Sequence, residues 1–106
     1  MPHSVQTIMA DVKNGLMELY GVRLKGVYLY GSYARGTSDS ESDIDVLIIL
    51  DKLKKYGEEV TRTSELISSL SLKFGISISR VFLSEEDWRN RQTPFLLHVR
   101  EEAVPA

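Results

Sequence analysis

The stretch Gly31–Leu50, GSYARGTSDSESDIDVLIIL, joins a glycine turn, two aspartates and an aliphatic run. It follows Val27–Tyr30, a short run of residues that favour β-strands. Gly31 breaks that run, since a residue without Cβ allows a sharp turn and the close approach of a phosphate. Ser32 is then the natural N-cap of a short helical turn. Because a helix start exposes unpaired N–H groups, these residues predict an anion-binding turn, to which the Ser32 hydroxyl adds a donor and Arg35 a charge.

Two aspartates open the apolar run that follows. Asp43 and Asp45 flank Ile44, directly before Val46–Leu50. Residues i and i+2 of a strand point to the same face, so the two carboxylates project together, with Cα atoms about 7 Å apart. Hard oxygen ligands at this spacing suit Mg²⁺, which keeps several waters and also takes substrate phosphate oxygens. The stretch therefore predicts a nucleotide site, with phosphate at the glycine turn and metal at Asp-x-Asp.

Each part of this pattern, taken alone, has an ordinary structural explanation. Gly31-Ser32 by itself is typical of a turn, Asp43 of a strand or loop cap, and Arg35 of a solvated charge. Their combination in this order favours a functional site, since a purely structural strand gains nothing by opening with two carboxylates on one face.

These residues also resemble the signature of a known family. Gly31-Ser32, ten intervening residues and Asp43-Ile44-Asp45 are similar to the motif of the polymerase-β-like nucleotidyltransferase superfamily. Ala34-Arg35-Gly36, with Ser42 before the first aspartate, resembles its minimal nucleotidyltransferase branch. The resemblance implies an α/β (α+β) nucleotidyltransferase fold, in which helices pack mainly on one side of a small mixed β-sheet of three or more strands. It implies a single domain over residues 1–106, catalytic and metal-binding roles for Asp43 and Asp45, and nucleotide binding by Gly31, Ser32, Arg35 and Ser42.

The resemblance further implies a reaction and a partner. Members of this branch use Mg²⁺ and ATP and transfer AMP to a hydroxyl group. The short length, together with the tail Phe82–Trp88 and Pro94–Leu96, resembles small members that act as antitoxins beside HEPN-domain toxins. A tyrosine of a HEPN-type toxin is then the expected acceptor, and an oligomer with that toxin is compatible with this role. Transfer to a small molecule is less expected, because 106 residues leave no room for a second domain around the acceptor.

The chain departs from the superfamily pattern at one position. Many members carry a third carboxylate on a neighbouring strand, where it completes the metal site and acts as a base. The corresponding residue here is Ser77, or Ser79 if the register differs by two. A hydroxyl is neither an anionic ligand nor a strong base, so reduced activity and lost activity are both compatible with it, unless Asp39, Glu41 or a partner residue compensates. The alternative function is a binding module that keeps the nucleotide pocket and neutralises a toxin by occlusion.

Composition sets the remaining limits. With 42% hydrophobic residues, the chain has enough apolar material for one core, and 13 basic against 15 acidic residues give a net charge of −2. No general basic field exists, so direct binding of nucleic acid is not expected. The absence of cysteine rules out thiolate chemistry and is compatible with a reducing cytoplasm. No apolar stretch approaches the roughly twenty residues that span a bilayer, so we expect a soluble cytoplasmic protein without membrane contact.

Hydrophobic periodicity and capping residues predict the scaffold. Helices are expected over 5–20, 58–74 and 94–100, strands over 23–30, 44–50 and 76–83, and short helical turns at 32–35 and near 84–88. The second strand is almost wholly aliphatic and should be central, with the third beside it. Five apolar residues near the carboxyl end are expected to join the core rather than an interface, although in so small a protein part of this surface could hold a partner: Trp88, Phe95, Leu96, Leu97 and Val99.

Overall fold

The structure, a computed structural model, describes residues 4–36 and 43–106. In these ranges the elements follow in the order α1 (Val5–Tyr20), β1 (Leu24–Tyr30), α2 (Ser32–Arg35), β2 (Ile44–Leu50), α3 (Tyr56–Phe74), β3 (Ile78–Ser84), α4 (Glu85–Asn90), α5 (Pro94–Glu102) and β4 (Val104–Pro105). A 3-10 turn, Gly21–Arg23, joins α1 to β1.

The strands form one mixed sheet in the order β3-β2-β1-β4. β1 runs antiparallel to β2 and to β4, whereas β2 and β3 are parallel. A parallel pair needs a long crossover, and α3 supplies it between β2 and β3. The expected central position of the second strand is confirmed, and six of its seven residues are buried, Asp45 being the exception.

Both faces of the sheet are covered, which explains the unbroken aliphatic run of β2. Val46 and Ile48 pack in a core with α1 and α3. The two long helices thus lie on one side of the sheet, as expected. Leu47 and Ile49 point the other way and pack in a smaller core with α5. The tyrosines of β1 lie on this second face, where the ring of Tyr28 lies 5.1 Å from that of Trp88 and Tyr30 meets Phe95 edge-on at 5.9 Å.

Side-chain caps begin three of the helices, as the sequence predicts. Ser4 Oγ accepts the Thr7 N–H at 3.1 Å, Ser84 Oγ accepts the Asp87 N–H at 3.1 Å, and Thr93 Oγ1 accepts the Leu96 N–H at 3.2 Å. Each bond satisfies a donor that has no partner within its own helix.

Several boundaries differ from the prediction. The third strand begins at Ile78 rather than Ile76, because the Ile76 N–H closes the end of α3 by donating to the Ser71 carbonyl at 3.2 Å. α3 begins at Tyr56, where the Tyr56 hydroxyl accepts the Phe82 N–H at 3.2 Å and its ring packs edge-on against Phe82. The prediction also missed β4, a two-residue strand too short to show periodicity.

The core prediction for α5 is wrong at two residues. Leu96 and Val99 are buried, but Phe95 is 46% and Leu97 48% exposed. A helix of nine residues turns only one stripe toward the sheet, so neighbours of a buried position face outward. In α3, the polar residues Glu59 and Thr63 are also buried, and both are hydrogen-bonded.

Within the described part of the chain, no helix combines the length and apolar character that crossing a membrane requires.

Candidate active site

The turn after β1 lies directly against the start of β2. Gly31 has φ +78° and ψ −155°, a backbone conformation that is almost confined to glycine. A Cβ at this position would come within 3.2 Å of Asp45 Cγ and overlap its Oδ2. The glycine is therefore required twice, once by its own backbone and once by the aspartate that it contacts. The following turn, α2, is closed by the Arg35 N–H, which donates to the Gly31 carbonyl at 3.1 Å.

The two aspartates lie where β2 begins. Asp43 is exposed and directly precedes the strand, whereas Asp45 is half-buried within it. Burial is the largest cause that raises the pKa of Asp45, and the neighbouring Asp43 raises it further, while Arg35 acts in the opposite direction. A carboxylate that is desolvated beside another carboxylate gains from a cation placed between them.

Tyr30 and Ser79 flank Asp45 in the sheet. Asp45 is paired with Tyr30 across the antiparallel ladder and with Ser79 across the parallel one. Burial and the charge of Asp45 raise the pKa of Tyr30 to about 12, so its hydroxyl stays protonated near neutral pH.

The same register bears on the missing third carboxylate. Ser79 is the neighbour of Asp45, whereas Ser77 precedes β3 and accepts the Ile44 N–H on its carbonyl at 2.9 Å. The residue beside Asp45 is thus the second of the two candidates that the sequence left open, and it is exposed. Across residues 4–36 and 43–106, no group of three or more His, Cys, Asp or Glu side chains is arranged to hold a metal ion.

A pair of carboxylates still fits Mg²⁺. The ion retains several waters and is commonly bound in proteins by one or two carboxylates together with substrate phosphates. Asp43 and Asp45 would be the residues that hold it, and the metal would neutralise charge on a bound triphosphate.

Glu102, at the end of α5, is a site residue that the sequence prediction missed. Its Oε1 accepts the Gly31 N–H at 3.0 Å, and Arg35 Nη1 lies 3.3 Å from Oε1 and 3.1 Å from Oε2. Burial opposes ionisation of Glu102, but the bonds from Arg35 and Gly31 outweigh it and lower the pKa of this carboxyl. No local motif signals the contact, because it joins residues 71 positions apart.

The structure therefore brings most of the predicted site residues to one end of the sheet. Gly31, Ser32 and Arg35 form the turn, and Asp45 lies against it with Asp43 at the strand entrance. Ser42, predicted to bind nucleotide, lies outside the described residues, as do Asp39 and Glu41.

Comparison with known proteins identifies the class of protein that this fold and site define. The model of the nucleotidyltransferase domain family matches residues 9–101, and the chain belongs to that family of nucleotidyltransferases. It is 41% identical over 73 residues to a Methanocaldococcus jannaschii protein named "Putative protein adenylyltransferase", a match that covers 69% of this chain and 67% of the relative.

Solved structures share the fold. A toxin–antitoxin crystal structure with AMP-PNP superposes with a TM-score of 0.67 at 21% identity, covering 91% of this chain and 69% of that one. A complex of a tri-AMPylated Shewanella oneidensis HEPN toxin with its MNT antitoxin superposes with a TM-score of 0.53 at 19% identity, covering 92% of this chain and 70% of that one. The mixed sheet expected from the sequence is thus the fold of these proteins.

Proposed function

We propose that this chain is a Mg²⁺-dependent protein adenylyltransferase that transfers AMP from ATP to a tyrosine hydroxyl of a HEPN-type toxin, and that it acts as the antitoxin. The observation that carries the proposal is the contact between the Gly31 turn and Asp45, with Asp43 two residues before it. A phosphate-binding turn directly beside two carboxylates is the arrangement that a metal–triphosphate requires. The names of the relative and of the two solved structures support the adenylyl group and a HEPN toxin as the partner, whereas the tyrosine hydroxyl is proposed from the family resemblance.

In the proposed reaction, the acceptor oxygen attacks the α-phosphorus of ATP. A bond forms between that oxygen and phosphorus, the bond to the oxygen bridging the α- and β-phosphates breaks, and pyrophosphate leaves. The hydroxyl proton passes to solvent or to a carboxylate at the site. Phosphoryl-type transfer depends chiefly on positioning and charge neutralisation, which the Gly31 turn, Ser32 and Arg35 would provide at the phosphates.

Such a modification would disable a nuclease toxin. AMP adds a phosphodiester charge and an adenosine to the acceptor, which obstructs an RNA-binding site by its bulk and by repulsion of the RNA backbone. We place this activity in a single domain of 106 residues and in the cytoplasm, in keeping with the absence of cysteine.

One observation favours a second candidate function. Ser79, not a carboxylate, lies beside Asp45, so the site lacks a third anionic ligand among the described residues. A weakened enzyme of this fold could neutralise its toxin by occlusion alone. The two functions differ in whether neutralisation consumes ATP.

The test is to incubate the chain with ATP, Mg²⁺ and the product of the adjacent open reading frame, and to measure the mass of that product. We expect an AMP-sized mass increase that disappears with EDTA and in an Asp43→Asn, Asp45→Asn double variant. Asp11→Asn is the matched control, because it removes one negative charge from an α1–α3 ion pair with Lys73. Neutralisation by the double variant as strong as by the unchanged chain, without added mass, would refute the transfer and establish occlusion.

A further inference from the structure

Glu102 occupies a position that its own helix disfavours. It is the last residue of α5, where the carbonyl end of the helix dipole repels a negative charge. Its side chain is only 12% exposed, so the carboxylate is also largely removed from water. His98, one turn earlier, lies 3.3 Å from Oε2. The contacts with Gly31 and Arg35 stabilise the carboxylate and offset this cost.

Those contacts hold the turn from outside the helix start. The Gly31 N–H precedes α2, so Glu102 does not take the N–H groups of the first helical residues. Arg35 is tied at both ends, since its backbone N–H donates to the Gly31 carbonyl and its guanidinium to Glu102. The position of Arg35 relative to Asp45 therefore depends on Glu102.

We propose that Glu102 is a positioning residue for Arg35, whose guanidinium it holds beside the Gly31 turn and directs toward the phosphates of the nucleotide. The proposal rests on the proposed function and adds a residue to its site. It makes Glu102 act through Arg35 rather than on the nucleotide itself. An opposite role exists in principle, in which the carboxylate occupies the place of a phosphate and competes with the nucleotide.

The two roles predict opposite signs. The Glu102→Gln substitution removes a negative charge near the proposed triphosphate site. If the carboxylate competes with the nucleotide, this variant should bind the nucleotide more tightly. If the carboxylate positions Arg35, the variant should bind the nucleotide more weakly, even though the repulsion between carboxylate and phosphate is gone. At metal sites, substitution of a residue that hydrogen-bonds to a ligating group changes the affinity by about tenfold or more. Arg35 is a single exposed side chain, so we expect a smaller effect.

The experiment is calorimetric titration with Mg²⁺ and a non-hydrolysable ATP analogue. We expect Glu102→Gln to weaken binding by about 3- to 10-fold, and the same change to have less than about a twofold effect in an Arg35→Ala background, because residues that act through one contact are not additive. Asp11→Asn serves as the matched charge control and should bind as the unchanged chain does. Amide exchange in the free protein should show faster exchange at Gly31 in Glu102→Gln, while the rest of β1 stays protected.

The outcomes separate the two proposals. Unchanged or tighter binding by Glu102→Gln overturns the positioning role, and so does an equal loss with and without Arg35. If the unchanged chain binds the analogue and the Asp43, Asp45 double variant does not, the proposed nucleotide site stands whatever Glu102 does. If the unchanged chain binds no nucleotide, the proposed function fails and the role of Glu102 fails with it.

Discussion

Replacing Gly31 by alanine tests the contact on which the site depends. The substitution places a Cβ where the Asp45 carboxylate now lies, and it forces alanine into a backbone conformation at φ +78°, ψ −155°. We expect both the free energy of unfolding and the affinity for Mg²⁺-nucleotide to fall. The two losses have separate causes, which a matched variant distinguishes.

The magnitude follows from the geometry. The glycine-only backbone region costs a residue with a Cβ about 1–3 kcal/mol. Moving the Asp45 side chain off its rotamer adds about 0.5–1.5 kcal/mol. Alanine also restricts the unfolded chain, which returns about 0.4–1 kcal/mol. Gly31→Ala should therefore destabilise the fold by about 0.5–4 kcal/mol on these values.

Gly75→Ala is the matched control. Gly75 ends α3 at φ +65°, ψ 35°, and a Cβ added there would meet no neighbouring atom within 4 Å among the described residues. This variant carries the left-handed backbone cost of about 1–2 kcal/mol and the same return of about 0.4–1 kcal/mol from the unfolded chain, but it displaces no aspartate. Urea unfolding measures both free energies, and calorimetry with Mg²⁺ and an ATP analogue measures binding. This expectation is contradicted if Gly31→Ala destabilises the fold no more than Gly75→Ala does and binds the nucleotide as tightly as Gly75→Ala. The contact between Gly31 and Asp45 would then contribute nothing to nucleotide binding.

Three further expectations concern single side chains. Ser79→Asp, which adds a carboxylate beside Asp45, should strengthen Mg²⁺ binding measured by calorimetry, whereas aspartate at the exposed Ser68 of α3 should leave it unchanged. The pKa of Asp45 is raised in the folded state, so the folded chain binds a proton there more readily than the unfolded chain. The free energy of unfolding of the unchanged chain, relative to Asp45→Asn, should therefore increase as the pH falls through that raised pKa toward 3.8. A difference in urea unfolding that stays constant over this interval would contradict the expectation. Tyr20→Phe removes a 2.8 Å hydrogen bond to the buried Glu59 and should cost about 1–3 kcal/mol in the same assay; a loss under about 0.5 kcal/mol would mean that Arg62 compensates fully.

The scaffold could be predicted because its signals are local. Caps at Ser4, Ser84 and Thr93 and the glycine after α3 mark helix ends within a few residues. The aliphatic run of β2 predicts a central strand without knowledge of its neighbours. β4 has no such signal, since its two residues are a strand only because they pair with Tyr28 and Leu29 of β1.

The site was predictable only in part. The order of Gly31, Ser32, Asp43 and Asp45 in the sequence predicts their proximity, because a strand, a turn and the antiparallel return of the next strand bring them together. The identity of the residue next to Asp45 was not predictable, because a shift of two in a parallel register leaves the same side chains on the same face. The structure resolves that ambiguity in favour of Ser79.

The contact of Glu102 shows why sequence order alone cannot define this site. By its place at the end of a helix, a glutamate would be expected to avoid this position or to remain solvated. It is instead largely buried, and its partners are Gly31, between β1 and α2, and Arg35, the last residue of α2. α5 packs through Leu96 and Val99 on the sheet face that also carries Asp45, so the packing of a short helix brings a distant carboxylate to the turn. A change in how α5 packs would therefore displace Arg35 at the proposed nucleotide site without altering any residue of the Gly31–Leu50 stretch.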